Sequence, residues 1–108
     1  MILDKFKIEF QGEMSEKNKQ DLKEKLISFS ESVKAVCINI IGDETLIISE
    51  TVDICRVILE YLADDTPVNF GVYVNKNFNK GQREVVITLS DSEEDLKSIN
   101  TSEQIINL

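Results

Sequence analysis

The chain of 108 residues has no histidine and no tryptophan, one proline, four glycines and two cysteines. Without histidine there is no His-based triad, no imidazole acid–base catalysis and no imidazole metal ligand. Cys37 and Cys55 have no Cys-x-x-Cys spacing and no partner His, so they cannot close a zinc site; we read them as small apolar thiols of a reduced chain. Long apolar runs are also missing. The longest uncharged apolar-rich stretch, 35–42, has strand length and cannot span a bilayer. The opening MILDKFKIEF carries Asp4, Lys5, Lys7 and Glu9 and lacks the apolar core of a signal peptide, so a cytoplasmic location is expected. Positive charge is scarce: 12 Lys and Arg stand against 20 Asp and Glu, a net charge of −8 that disfavours nucleic acid and anionic membrane as partners.

What is present is periodic hydrophobicity. Residues 5–10 alternate, with Phe6, Ile8 and Phe10 on one side and Lys5, Lys7 and Glu9 on the other, the pattern of a half-buried strand. From Glu16 the period lengthens: Leu22, Leu26 and Phe29 form the narrow apolar stripe of a helix over 16–29, with Ser15 as its N-cap. Residues 35–41 are apolar on both sides and read as a central strand covered on both faces. A second helix is expected over 50–63, capped by Ser49, with Val52, Cys55, Ile58, Leu59 and Leu62 inward and Asp64–Pro67 ending it. Residues 68–74 alternate with Val68, Phe70, Val72 and Val74 inward. After the loop NKNFNKGQ, residues 84–89 are expected to pair back on them as an open hairpin, with Val85, Ile87 and Leu89 inward. Ser92-x-x-Asp95 resembles a capping box for a short helix to Ile99 in the acidic stretch that ends the sequence.

The order β-α-β-α-β-β gives one α+β domain over 1–90, a two-layer sandwich in which two helices cover one face of a four-stranded mixed sheet, followed by an acidic tail over 91–108. No Gly-x-Gly-x-x-Gly and no Gly-Lys-Ser/Thr occurs, so no nucleotide cofactor is expected. The carboxylates Glu93, Glu94 and Asp95 lack the staggered oxygen ligands of a calcium loop, and no metal is expected. Arg56 and Arg83 are the only arginines, thin provision for an anionic substrate.

Residues 35–90 carry an ordered set of family-like features. Ile38-Asn39-Ile40-Ile41-Gly42 matches a strand ending Val-Asn-Ile-Thr-Gly, with Ile41 in place of Thr. Leu46 and Glu50 follow in register, then the helical pair Val57-Ile58, Phe70-Gly71 in the next strand, and Val85-Val86-Ile87-Thr88-Leu89 in the last. This set resembles the C-terminal domain of the FtsZ/tubulin family. The glycine-rich signature of that family's GTPase domain does not occur, so the resemblance implies the fold and neither GTP hydrolysis nor nucleotide binding, and it brings no catalytic residue. It implies a stand-alone, non-enzymatic protein-interaction module that binds division or cytoskeletal filaments or self-associates. In the family the sheet face away from the helices leans on the long central helix of the GTPase domain. Here that face would carry Cys37, Asn39, Ile41, Tyr73, Val86 and Thr88, apolar enough to want a cover: a second copy, residues 105–108, or a partner protein. The competing expectation, by fold analogy, is a small oligomeric enzyme or metabolite-binding protein of chorismate-mutase-like fold, with Glu50, Arg56, Tyr73 and Arg83 as ligand contacts.

Overall fold

The computed structural model describes residues 1–95 of the chain. The elements are β1 (Ile2–Gln11), α1 (Glu16–Phe29), β2 (Ala35–Gly42), α2 (Ile48–Leu59), β3 (Val68–Val74) and β4 (Gln82–Ser90). They form one four-stranded mixed sheet in the order β1-β4-β2-β3. β4 runs antiparallel to both β1 and β2, whereas β2 and β3 are parallel and joined by the α2 crossover. The helices lie on one face, an α+β two-layer sandwich. The remainder of the tail beyond Asp95, with the rest of the short helix expected to Ile99, lies outside the described residues.

Local chemistry explains the first helix. Ser15 Oγ accepts from the Asn18 amide at 3.0 Å, and Asn18 Oδ1 accepts from the Ser15 amide at 3.1 Å, a reciprocal capping box. Leu22 and Leu26 drop from α1 onto Ile8, Val36, Ile38, Ile40, Val85, Ile87 and Leu89, all buried, which makes the main core. The alternating residues of three strands meet in register there: Ile8 opposes Val85, Ile40 also opposes Val85, and Ile38 opposes Ile87.

Two expectations are corrected. The stretch 82–90 does not pair back on β3; it inserts between β1 and β2. Its sequence accounts for this, because Val86 and Thr88 are buried as well as Val85, Ile87 and Leu89, and a strand packed on both faces belongs in the middle of a sheet. The connection 75–81 has to step across a single strand, roughly 10 Å. Gly81 makes the entry to β4 in the left-handed region, at φ +81°, and its carbonyl accepts from Gly12, which is itself at φ +76°, at 2.8 Å.

The second correction concerns α2. It starts two residues earlier than expected, with Ile47 at the N-cap and no side-chain cap bond, so Ser49 lies inside its first turn. Its buried face is Thr51, Ile54 and Ile58, while Val52 and Leu59 remain 41% and 36% exposed. The helix is therefore turned from the orientation that apolar spacing alone implied: polar Thr51 goes inward because its hydroxyl donates to the Ile48 carbonyl at 2.6 Å. Ile54→Ala should cost about 2–4 kcal/mol by leaving a cavity, whereas Val52→Ala should change stability by no more than about 0.5 kcal/mol. Denaturant unfolding of the two variants checks this, and the reverse ranking would overturn the observed helix orientation.

Candidate interaction face

The sheet carries its second face in cross-strand rows. Lys5, Thr88, Cys37 and Asn69 form one row, and Lys7, Val86, Asn39 and Gly71 the next; Glu9, Glu84, Ile41 and Tyr73 complete the third. All six residues of the expected interaction face thus share one side of the sheet. Their exposure differs from expectation: none exceeds 8%. Part of the reason is local. The Tyr73 side chain folds back over Gly71 towards Asn39, and Phe78 from the β3–β4 connection packs on Ile41, Tyr73 and Val86. The centre of this face is packed rather than laid open to water.

Gly71 makes that packing possible. A Cβ at this position would overlap the Tyr73 hydroxyl and stand 2.7 Å from Asn39 Oδ1. Asn39 Oδ1 and the Tyr73 hydroxyl are both buried without a hydrogen-bond partner among the described residues, so Tyr73→Phe sacrifices no bond. Gly71→Ala should therefore destabilise by about 1–3 kcal/mol through overpacking, and by less in a Tyr73→Phe background, where the tightest of the three overlaps is gone while Asn39 Oδ1 and the ring carbon remain. Equal penalties in the two backgrounds, measured by urea unfolding, would contradict this placement of the ring.

The four expected ligand contacts do not converge. Arg56 is exposed on the outer side of α2, 3.9 Å from Asp53. Tyr73 is on the opposite face of the sheet from α2. Glu50 and Arg83 do meet, but as a structural pair. Arg83, 3% exposed, donates through Nε and NH2 to Glu50 at 2.5 and 3.2 Å, and through NH1 to Asp43 at 2.8 Å. It also donates through NH2 to Thr45 Oγ1 and through NH1 to the Gln82 carbonyl, both at 3.0 Å. These bonds occupy all five guanidinium N–H groups and leave none for a substrate anion. The cluster ties the β2–α2 turn and the first turn of α2 to β4.

Bonds from Thr45, then from Arg83, hold the Asp43 carboxyl down at about 2. A depressed carboxyl stabilises the fold fully above its unfolded value of 3.8 and loses that contribution as pH falls toward about 2. Asp43→Asn should thus be less stable at neutral pH, with a shallower loss of stability between pH 4 and 2 when followed by circular dichroism. An unchanged acid slope would argue that Asp43 is not held ionised by this cluster.

Neither of two clefts between the helices and β1 brings the candidates together into a metabolite site. One of about 610 Å³ lies between β1 and α1 and is lined by none of the four candidates; one of about 430 Å³ lies between the amino-terminal ends of the helices and is lined by Glu50 alone of them. Burial pushes the half-buried Cys55 thiol up to about 11, and Cys37 is fully buried in β2, where its sulfur accepts from Asn39 Nδ2 at 3.6 Å.

The accessible surface with distinctive chemistry is elsewhere. β3 is an edge strand without a charged residue, and its helix-side residues Val68, Phe70, Val72 and Val74 are 37–44% exposed. They align with Val36, Ile38, Ile40 and Gly42, but the core under the helices is built on β1, β4 and β2, and none of the four β3 residues packs into it. The flank of α2 turned away from α1 adds Val52 and Leu59: the cleft on the α1 side is lined by Glu50, Asp53 and Val57, a quarter-turn or more away. Alternation in the sequence marked the β3 residues as inward, and it marked the correct face. It carries no information on whether a helix reaches the edge. The absence of charge from 68 to 74 was the readable signal.

No protein-family model matches the chain, and no curated protein matches its sequence. Among solved structures, the chain superposes on the empty FtsZ dimer of M. jannaschii with a TM-score of 0.57 at 15% identity, over 82% of this chain and 27% of that one. A mutant FtsZ from the same organism gives 0.57 at 15%, over 83% and 28%. The chain has an FtsZ-type fold. It spans about a quarter of the length of those FtsZ chains, the size of one domain of them. A 2C-methyl-D-erythritol 2,4-cyclodiphosphate synthase from Plasmodium vivax is similar at a TM-score of 0.50 and 14% identity, over 70% of this chain and 56% of that one. At these identities the likeness is one of fold alone. Among the described residues no helix is long and apolar enough to cross a membrane.

Proposed function

We propose that this FtsZ-type domain is a non-enzymatic protein-interaction module that engages its partner through the open edge of β3. The observation that carries the reading is the unequal treatment of the two sheet edges. β1 guards its edge with Asp4, Lys5, Lys7 and Glu9, the ordinary defence against unwanted strand pairing. β3 has no charge, no proline within the strand and no bulge over seven residues, and it exposes an apolar row along an edge on which no further strand pairs among the described residues. Such an edge accepts an added strand, with main-chain bonds supplying affinity and the alternate side chains supplying specificity. The packed second face, with Cys37, Asn39, Ile41, Tyr73, Val86 and Thr88, serves as the rigid wall behind that edge.

The partner classes follow from the family likeness and from charge. A division or cytoskeletal filament, or another copy of this chain, fits an apolar strand edge; a surface at −8 does not favour nucleic acid or anionic membrane. The competing reading, a metabolite-binding oligomer, is weakened by the full internal use of Arg83 and by the separation of Arg56, Tyr73 and Glu50.

Co-sedimentation with FtsZ filaments, together with light scattering of the isolated chain, tests the reading. Binding to filaments or self-association is expected, abolished by Phe70→Lys with the circular dichroism spectrum unchanged. A chain that neither pellets nor self-associates, or a small anionic metabolite that raises its melting temperature, would overturn it.

A further inference from the structure

We infer that the occupant of the β3 edge is a second copy of the same chain, paired antiparallel about Gly71 to give a continuous eight-stranded sheet. The inference rests on the edge-docking reading above and names its partner. Its first support is the strand itself. A two-fold axis perpendicular to the sheet keeps each face on its own side, so residues of one copy meet residues of like parity in the other. Centring on Gly71 uses the whole of Val68–Val74 and places Val68 opposite Val74 and Phe70 opposite Val72, twice each. Each of these pairs is apolar, aromatic–β-branched or β-branched–β-branched, the kind that stabilises a sheet. A shift of the axis by one residue keeps the faces matched but leaves one or more of the four unpaired.

Area is the second support. Val68, Phe70, Val72 and Val74 are 37–44% exposed, Val52 and Leu59 flank them at 41% and 36%, and Ile48 at the start of α2 is 83% exposed. Covering these side chains would remove on the order of 500 Å² per copy, and so about 1,000 Å² in the pair, the size a specific interface has to reach. The two-fold brings the α2 flank of each copy to opposite sides of the seam, so the helices add their apolar stripes to the same interface instead of burying separate surfaces.

Electrostatics supplies a distinguishing signature. Each copy carries −8 overall while β3 carries no charge, so association works against long-range repulsion and has no ion pair at the seam to lose. Added salt should strengthen the dimer by screening, the opposite of an interface held by salt bridges.

Sedimentation equilibrium of the full 108-residue chain tests this. The expected result is a species of twice 12.3 kDa whose dissociation constant falls as sodium chloride rises. Phe70→Lys and Val72→Glu should each be monomeric at concentrations where the parent chain is dimeric. Their equimolar mixture should regain the dimer, because position 70 of one copy lies opposite position 72 of the other. Circular dichroism of each variant confirms that the fold is kept, and Glu60→Lys, on the exposed end of α2, serves as a charge control that stays dimeric. A strict monomer, a dimer indifferent to both substitutions, or no rescue in the mixture would overturn the inference. A monomer that still binds filaments through Phe70 would leave the module reading standing and remove this one alone; a monomer that binds nothing would remove both.

Discussion

The insertion of β4 between β1 and β2 is the constraint on which the rest of the structure depends. β4 pairs with a neighbour on each side and is packed on both faces, from Val85 through Ser90. It closes the core that receives Leu22, Leu26, Ile54 and Ile58 from the helices, and it carries Arg83 into the turn that launches α2. A strand so placed also decides which elements are left at the rims. With β4 and β2 in the middle, β1 and β3 become edges, and the surface chemistry of the molecule is the chemistry of those two edges.

The buried polar cluster shows how the fold uses groups that looked like ligand contacts. A guanidinium in the interior is tolerable only when its donors are met and its charge is balanced. Arg83 meets both conditions with Asp43, Glu50, Thr45 and one carbonyl. Asp43 accepts at the same time from the Thr45 amide and hydroxyl, an Asx turn that fixes the approach to α2. A residue pair separated by 33 positions therefore serves architecture, and the chemistry available to a bound molecule at that place is correspondingly small.

Much of this was legible in the sequence. The two periods, two for strands and 3.6 for helices, located every element, and Ser15 announced α1. The doubly apolar 35–41 marked the central strand, and the ordered set from Ile38 to Leu89 pointed to the FtsZ-type fold that the solved structures share. The rest was not legible for identifiable reasons. Strand order is a property of non-local pairing, and a seven-residue connection reaches across one strand as readily as it closes a hairpin. The rotation of α2 depended on a threonine satisfying its own hydroxyl within the helix, which hydropathy counts as a polar residue facing out. The burial of Tyr73 depended on the missing Cβ at Gly71, on the sheet face away from the helices, which periodicity does not resolve. The pairing of Glu50 with Arg83 brought together two separate candidates and consumed both.

Cross-strand nuclear Overhauser contacts in solution test the central claim most directly. The account predicts backbone contacts from β4 to both neighbours, between Ile87 and Phe6 and between Ile87 and Ile38, with none from β4 to β3. Backbone contacts between the strands 68–74 and 82–90 would show that they form a hairpin, and would contradict both the sheet order and the open edge that follows from it.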